Sequence, residues 1–220
     1  MICEAESGVT LKLATSLDGR IATSSGESRW ITGAASREQV HRLRALHDAV
    51  LVGVDTALAD DPLLNVRLEG HTGAQPTPVI LDTRQRISSD LQLVRLAKST
   101  GTVVISTMPA RSDLAAAGVR VLQVPAGEDG RCCPSAALEA LAGLGLGRVF
   151  VEGGGAIASS FLKLNLVDRL EWFRAPMLIG AEGRPALGGL ALAKLSEAPR
   201  FRRLDAVPLG EDLWERYERI

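Results

Sequence analysis

Gly147 to Leu164 reads GRVFVEGGGAIASSFLKL, and the fold turns on how this stretch is read. Arg148 to Val151 sets the β-formers Val149, Phe150 and Val151 between glycines, which predicts a short buried strand. Gly153, Gly154 and Gly155 follow at once, three residues whose missing Cβ permits positive φ and close approach of another backbone or of a ligand. Ala156 to Leu164 has helical spacing, with Ala158, Phe161 and Leu162 on one side. Strand, glycine turn and helix in that order bring unpaired backbone N–H groups and the positive end of a helix dipole to one place, which suits a phosphate. The spacing is not the full G-x-G-x-x-G fingerprint, so an ordinary tight turn accounts for it equally well. Glu152 adds a carboxylate directly before the glycines, where open α/β sheets place their ligands.

Outward from this stretch the chain alternates. Val9 to Ser16 has Val9, Leu11 and Leu13 at period two, with Lys12 on the opposite face, and reads as a strand. Burial of an unpaired ammonium is costly, so a central position for this strand requires Lys12 to point into a polar cleft. Leu17 to Gly33 is a long segment rich in Gly, Ser and Thr, and loops of that length inside a compact domain tend to be functional. Ser36, with Gln39 three residues on, has the spacing of a capping box and predicts a helix start there. His41 and His47 are expected on the exposed side of that helix.

Ala49 to Gly53 reads as a buried strand followed by a short helical stretch that ends near Ala59 to Pro62. Pro78 to Asp82, Thr102 to Ser106 and Val119 to Val124 are further strands, with helices over Ala110 to Ala117 and Ser135 to Leu144. Arg84 to Ser99 is ambiguous. This alternation predicts an α/β fold with a mostly parallel central sheet flanked by helices. Arg169 to Ala175, Phe201 to Val207 and Asp212 to Arg219 read as strands without long helices between them, so the C-terminal end is expected to contribute antiparallel strands.

The 220 residues, 46% hydrophobic, suffice for one substantial core and predict a single domain over 1–220, with 1–8 as a short N-terminal segment. A net charge of -1 and 4% aromatic residues argue against nucleic acid as a partner. No apolar run reaches membrane-spanning length and MICEAESGV has no leader pattern, so a cytoplasmic location is expected. Cys3, Cys132 and Cys133 lack metal-ligand spacing, and with them free thiols and no metal are expected.

The runs KLATSLDGRIA, SGESRWITG, HRLRALHDAVLVG, ALADDPLLNVR, VFVEGGG and RAPMLIG, in this order, resemble the reductase domain of the bacterial riboflavin-biosynthesis deaminase/reductase. The resemblance runs from Val9 to about Ala198. It implies a dihydrofolate-reductase-like fold, NADPH as cofactor, a phosphorylated ribosylaminopyrimidine as substrate and a homodimer. The zinc deaminase domain of the bifunctional enzyme has no counterpart here, since no H-x-E and P-C-x-x-C pair occurs. Gly155 also departs from relatives, which often carry another small residue or proline at that position.

Carried over residue by residue, the resemblance assigns substrate binding to Ser28, Thr32, Arg44, Leu64 and Arg67. Hydroxyls before a helix and arginine donors are also what a phosphate monoester requires. Cofactor contacts fall to Ala14, Trp30, Thr56, Asp60 and Thr83. They continue through Gly153, Gly154, Gly155, Ala156, Ile157, Ala158, Ser159 and Ser160. Lys12, Asp60 and Glu152 are the candidates for the reacting centre, where a lysine or a carboxylic acid can assist ring opening and proton delivery. The residues leave open which of the three is the acid. A pterin or folate reductase on the same fold and a nucleotide-binding module without activity are the two alternatives.

Overall fold

The computed structural model describes residues 8–220; Cys3 lies outside the described residues. In chain order the elements begin β1 (Gly8–Thr15), β2 (Arg20–Ala22), α1 (Ala34–Arg44), β3 (Ala49–Gly53), α2 (Val54–Asp60) and β4 (Thr77–Leu81). They continue with α3 (Gln92–Arg95), α4 (Ala97–Thr100), β5 (Val103–Ser106), α5 (Ser112–Ala117) and β6 (Arg120–Gln123). Then come α6 (Pro134–Ala142), β7 (Arg148–Val151), α7 (Gly155–Lys163), β8 (Arg169–Arg174), β9 (Arg184–Pro185), β10 (Phe201–Leu209) and β11 (Asp212–Arg219). The chain gathers into two compact units, one formed by Leu43–Phe150 with Gly8 and the other by Val9–Arg42 with Val151–Ile220.

In the first unit the strands run in the order β7-β3-β4-β5-β6. β3 pairs with β4, β4 with β5 and β5 with β6, all parallel. Parallel strands covered on both faces read as unbroken apolar runs, which is why AVLVG and VVIS are buried from end to end. Leu51, Ile80, Ile105, Ile87, Leu93, Leu114 and Leu141 are fully buried, and each such side chain contributes roughly 1.5–3 kcal/mol. The edge strand β6 exposes Arg120 and Gln123, the polar rim that an unpaired edge needs. Asp48 fastens β7: its Oδ1 accepts from Arg148 Nη2 at 2.6 Å and its Oδ2 from the Arg148 amide at 2.8 Å. Burial pushes the Asp48 carboxyl up, but the bonds from Arg148 outweigh it and the net shift is downward.

In the second unit the order is β10-β11-β8-β1. β1 and β8 are parallel, while β8–β11 and β10–β11 are antiparallel, as the C-terminal pattern predicts. Val9, Leu11 and Leu13 are buried at period two. Lys12, half-buried, lies in register with Glu171, and Glu171 with Arg216, so three charged residues form one row across β1, β8 and β11. Glu171 is 3% exposed and accepts a bond from Trp214 Nε1 at 2.7 Å. Burial raises its carboxyl, with Arg216 acting in the opposite direction. One residue along, Glu215 pairs with Arg174 at 2.6 Å and accepts the Tyr217 hydroxyl at 3.0 Å.

The α/β class, the parallel strands and the antiparallel C-terminal end follow the sequence reading, and three local expectations are corrected. α1 starts at Ala34, and Ser36 does not cap it: its hydroxyl is buried and donates to Asp212 Oδ2 at 2.5 Å. His47 lies past the end of α1, stacked on Phe150 at 4.8 Å between ring centroids, with Nδ1 2.7 Å from the Leu43 carbonyl. The long Leu17–Gly33 segment contains β2, which pairs with β9. The ambiguous Arg84–Ser99 stretch holds the short helix α3 and the start of α4, and Cys132 and Cys133 are free thiols.

Candidate active site

The glycine turn after β7 opens α7 without any side-chain cap and without an acidic residue in the first turn. The first amides of a helix have no intrahelical partner, so this terminus presents donors and a positive dipole end. None of Gly153, Gly154 and Gly155 has positive φ. Their small size serves close approach instead. A Cβ on Gly155 would stand 2.9 Å from the Pro185 carbonyl oxygen and 3.1 Å from that of Ala186. The Gly188 amide donates to the Gly155 carbonyl at 3.2 Å and Ser159 Oγ to the Gly188 carbonyl at 3.2 Å. A Cβ on Gly153 would meet Ile157 Cβ at 2.7 Å. Ala158 and Ser159 are buried, and Ala156, Ile157 and Ser160 have at least partial exposure. Glu152, half-buried, stands directly before the turn, and Lys12 and Ala14 point to one face of β1 in the same unit.

Ser28, Trp30 and Thr32 lie in the stretch that enters α1. Trp30 is 67% exposed, which rules out a core position, and the Arg37 guanidinium sits 4.3 Å from its ring centroid. Arg37 also donates to the Thr32 carbonyl at 2.8 Å. Trp30 and Thr32 line a cavity of about 510 Å³ together with Arg37, Met177 and Asp212. Ser28 is exposed and Thr32 half-buried, so both hydroxyls remain within reach of a ligand.

In the first unit Thr56 and Asp60 stand one turn apart on α2, which follows β3 directly. The chain then passes Leu64, buried and held at φ 53°, on its way to the exposed Arg67. The left-handed conformation of a bulky residue persists only where its surroundings fix it. Gln75 fixes this stretch by accepting the Val66 amide at 2.7 Å and donating to the Val66 carbonyl at 3.2 Å. Arg44 Nη1 donates to the Asn65 carbonyl at 2.9 Å, which ties the end of α1 to the loop that carries Leu64 and Arg67. Thr83 follows β4, and β3 and β4 are in parallel register, which places Thr56 and Thr83 past the same end of the sheet.

Thr83 is anchored on several sides. Its carbonyl accepts Ser106 Oγ and Thr107 Oγ1, each at 3.0 Å, and its Oγ1 accepts the Cys132 amide at 3.1 Å. The hydroxyl proton is left to donate, and the exposed Arg84 follows. Within this unit a hydroxyl donor and a guanidinium are groups that suit a phosphate, as does the uncapped start of α7 behind its glycines in the other unit. Among the described residues no group of three or more His, Cys, Asp or Glu could hold a metal ion.

Two carboxylates that accept bonds from distant parts of the chain went unread in the sequence. Asp212 Oδ2 accepts the Gly33 amide at 2.7 Å as well as the Ser36 hydroxyl, and so sets the entry to α1. Asp18 accepts amides of Ile179 and Gly180. Their partners lie far along the chain; the only local signal was the Asp18-Gly19 turn pair after β1.

The family model described as RibD C-terminal domain matches residues 7–214. The riboflavin biosynthesis protein RibD of Actinobacillus pleuropneumoniae is 33% identical over 209 residues, 93% of this chain and 55% of that protein. The chain thus spans about half the length of that relative. The 2,5-diamino-6-ribosylamino-4(3H)-pyrimidinone 5′-phosphate reductase of Methanothermobacter thermautotrophicus is 31% identical over 219 residues, 95% of this chain and 96% of the relative. Among solved structures, Acinetobacter baumannii RibD superposes with a TM-score of 0.85 at 35% identity, covering 97% of this chain and 58% of the other. With the strand–glycine–helix turn and the Arg44–Arg67 loop in place, these matches make the chain a member of the RibD C-terminal domain family.

Proposed function

We propose that the chain reduces the ribosyl group of 5-amino-6-(5-phosphoribosylamino)uracil, or of its diamino-pyrimidinone counterpart, to the ribitylamino compound, with NADPH as reductant, in riboflavin biosynthesis. The observation that carries this reading is the match, over nearly the whole of both chains, to a relative named as a ribosylaminopyrimidinone phosphate reductase. Ser28, Thr32, Arg44 and Arg67 hold the 5′-phosphate, and Leu64 belongs to the same substrate-binding set. Ala14, Trp30, Thr56, Asp60, Thr83 and the stretch Gly153–Ser160 hold the cofactor, with phosphate at the start of α7.

NADPH, when bound, supplies hydride for C1′ of the open-chain imine. The protein's share is to orient the pair, exclude water and deliver a proton to the nitrogen, so that C=N becomes CH–NH. Lys12, Asp60 and Glu152 are the groups able to assist ring opening and to move that proton. A small-molecule partner, a cytoplasmic setting and a homodimer belong to the same reading. The homodimer rests on the family resemblance alone. A monomeric mass in solution would end that part of the proposal.

Cofactor choice supplies the test. Thr83 and Arg84 offer a hydroxyl and a cation for a ribose 2′-phosphate. An acidic residue at a strand end can instead select the unphosphorylated ribose, but Asp82 is fully buried and its Oδ2 accepts the Ile87 amide at 2.9 Å. Steady-state reduction of the ribosylaminouracil phosphate should therefore be more efficient with NADPH than with NADH. Equal kcat/KM for the two would count against the cofactor assignment, and no turnover with either would count against the reaction.

A further inference from the structure

The Leu17–Gly33 segment is tied down at its start by one carboxylate. Asp18 Oδ1 accepts the Ser16 hydroxyl at 2.6 Å and the Ile179 amide at 3.1 Å, while Oδ2 accepts the Gly180 amide at 2.7 Å. Gly180 has φ +97°, a conformation that lets two consecutive amides face one anion. Around this contact the Leu17 amide donates to the Met177 carbonyl at 2.8 Å and the Ala186 amide to the Gly19 carbonyl at 2.9 Å. The partner segment is not remote from the site described above: Ala175, Pro176 and Met177 line the same cavity as Trp30 and Thr32. The Ser16 hydroxyl, then the Gly180 and Ile179 amides, hold the Asp18 carboxyl at about 2. The contact therefore stays charged at every pH near neutrality.

We propose that Asp18 is a positioning residue, whose carboxylate latches the turn after β1 onto Ile179–Gly180 and so fixes the segment that presents Ser28, Trp30 and Thr32. The proposal rests on the assignment of those three residues to ligand binding. The competing account is a carboxylate that only closes a local Asp-Gly turn. Two backbone donors from 161 and 162 residues away argue against it, since a local turn does not need them.

Asp18→Asn and Asp18→Ala in the full chain separate the accounts. Asparagine keeps the shape and one acceptor oxygen but turns an NH₂ toward a backbone N–H, so it tests the latch without opening a cavity. Three readouts are needed: hydrogen exchange of peptides covering 17–33 and 176–183, the melting temperature, and kcat and KM measured well below melting. Both variants should exchange faster in both segments, melt near the parent and lose roughly 10-fold to 10²-fold in kcat/KM, the scale of misplacing a positioned group. Unchanged exchange would overturn the latch. Faster exchange with parental kcat and KM would overturn its role in positioning, as would a lower melting temperature with parental kinetics. Ser28→Ala and Thr32→Ala serve as controls: parental kinetics in both would overturn the ligand assignment itself, and the functional half of the proposal with it, whatever the Asp18 variants show.

Discussion

Glu152→Gln should lose roughly 10² or more in the rate of substrate reduction, the usual scale of general acid or base assistance, while melting near the parent. Glu152 follows β7 directly and precedes Gly153, at the C-terminal end of a strand and beside the uncapped start of α7. A purely structural carboxylate there would act by accepting hydrogen bonds. Glutamine retains an accepting oxygen and the side-chain length but loses the negative charge and the exchangeable acid proton. The substitution therefore removes proton handling and leaves most of the geometry. NADPH affinity should also stay near the parental value. A variant that turns over at the parental rate would remove Glu152 from the reacting centre, and one that melts much earlier would assign it to holding the glycine turn.

Arg67→Ala should weaken substrate binding about tenfold or more, since a hydrogen bond to a charged phosphate contributes roughly 1.5–3 kcal/mol. Arg67 is exposed, so its removal should leave the melting temperature close to the parent. Arg44→Ala should weaken binding to a similar degree but should also destabilise the fold. Arg44 is 9% exposed and its Nη1 holds the Asn65 carbonyl, and an acceptor stripped of its donor costs about 1–3 kcal/mol. Titration with intact and with dephosphorylated substrate checks both. The penalty should largely vanish for the dephosphorylated compound, and NADPH binding should change little. Unchanged substrate affinity in both variants would return the two arginines to an ordinary structural and surface role.

Parts of the molecule whose cause is local were legible in the chain. β3, β4, β5 and β7 are short apolar runs between breakers, and β1 shows its period of two in Val9, Leu11 and Leu13. The two antiparallel strands at the end follow from their pattern, and the structure joins them by a tight turn at Gly210, where φ is +67°. Parts whose cause is distant were not legible. Ser36 has a capping spacing, yet Asp212, 176 residues away, takes its hydroxyl and the helix begins earlier. His47 has helical neighbours, but its ring finds Phe150. β2 and β9 have three and two residues, too few for any periodic signal.

The candidate site divides in the same way. The strand–glycine–helix order was visible in the chain, although the reason for Gly155, the Pro185 and Ala186 carbonyls, was not. Arg44 and Arg67 looked alike in the chain, whereas the structure buries Arg44 on the Asn65 carbonyl and leaves Arg67 exposed. Asp18 and Asp212 act on backbone amides and a hydroxyl, and no residue type at their partner positions announces such bonds.

The most direct measurement of the central claim compares NADPH oxidation in the presence of the ribosylaminouracil phosphate, its diamino-pyrimidinone counterpart and a dihydropterin, with the product identified in each case. The account predicts turnover with at least one of the two phosphorylated ribosylaminopyrimidines, yielding the ribitylamino compound, and none with the dihydropterin. Turnover of the dihydropterin alone, or of none of the three despite tight NADPH binding, would contradict it.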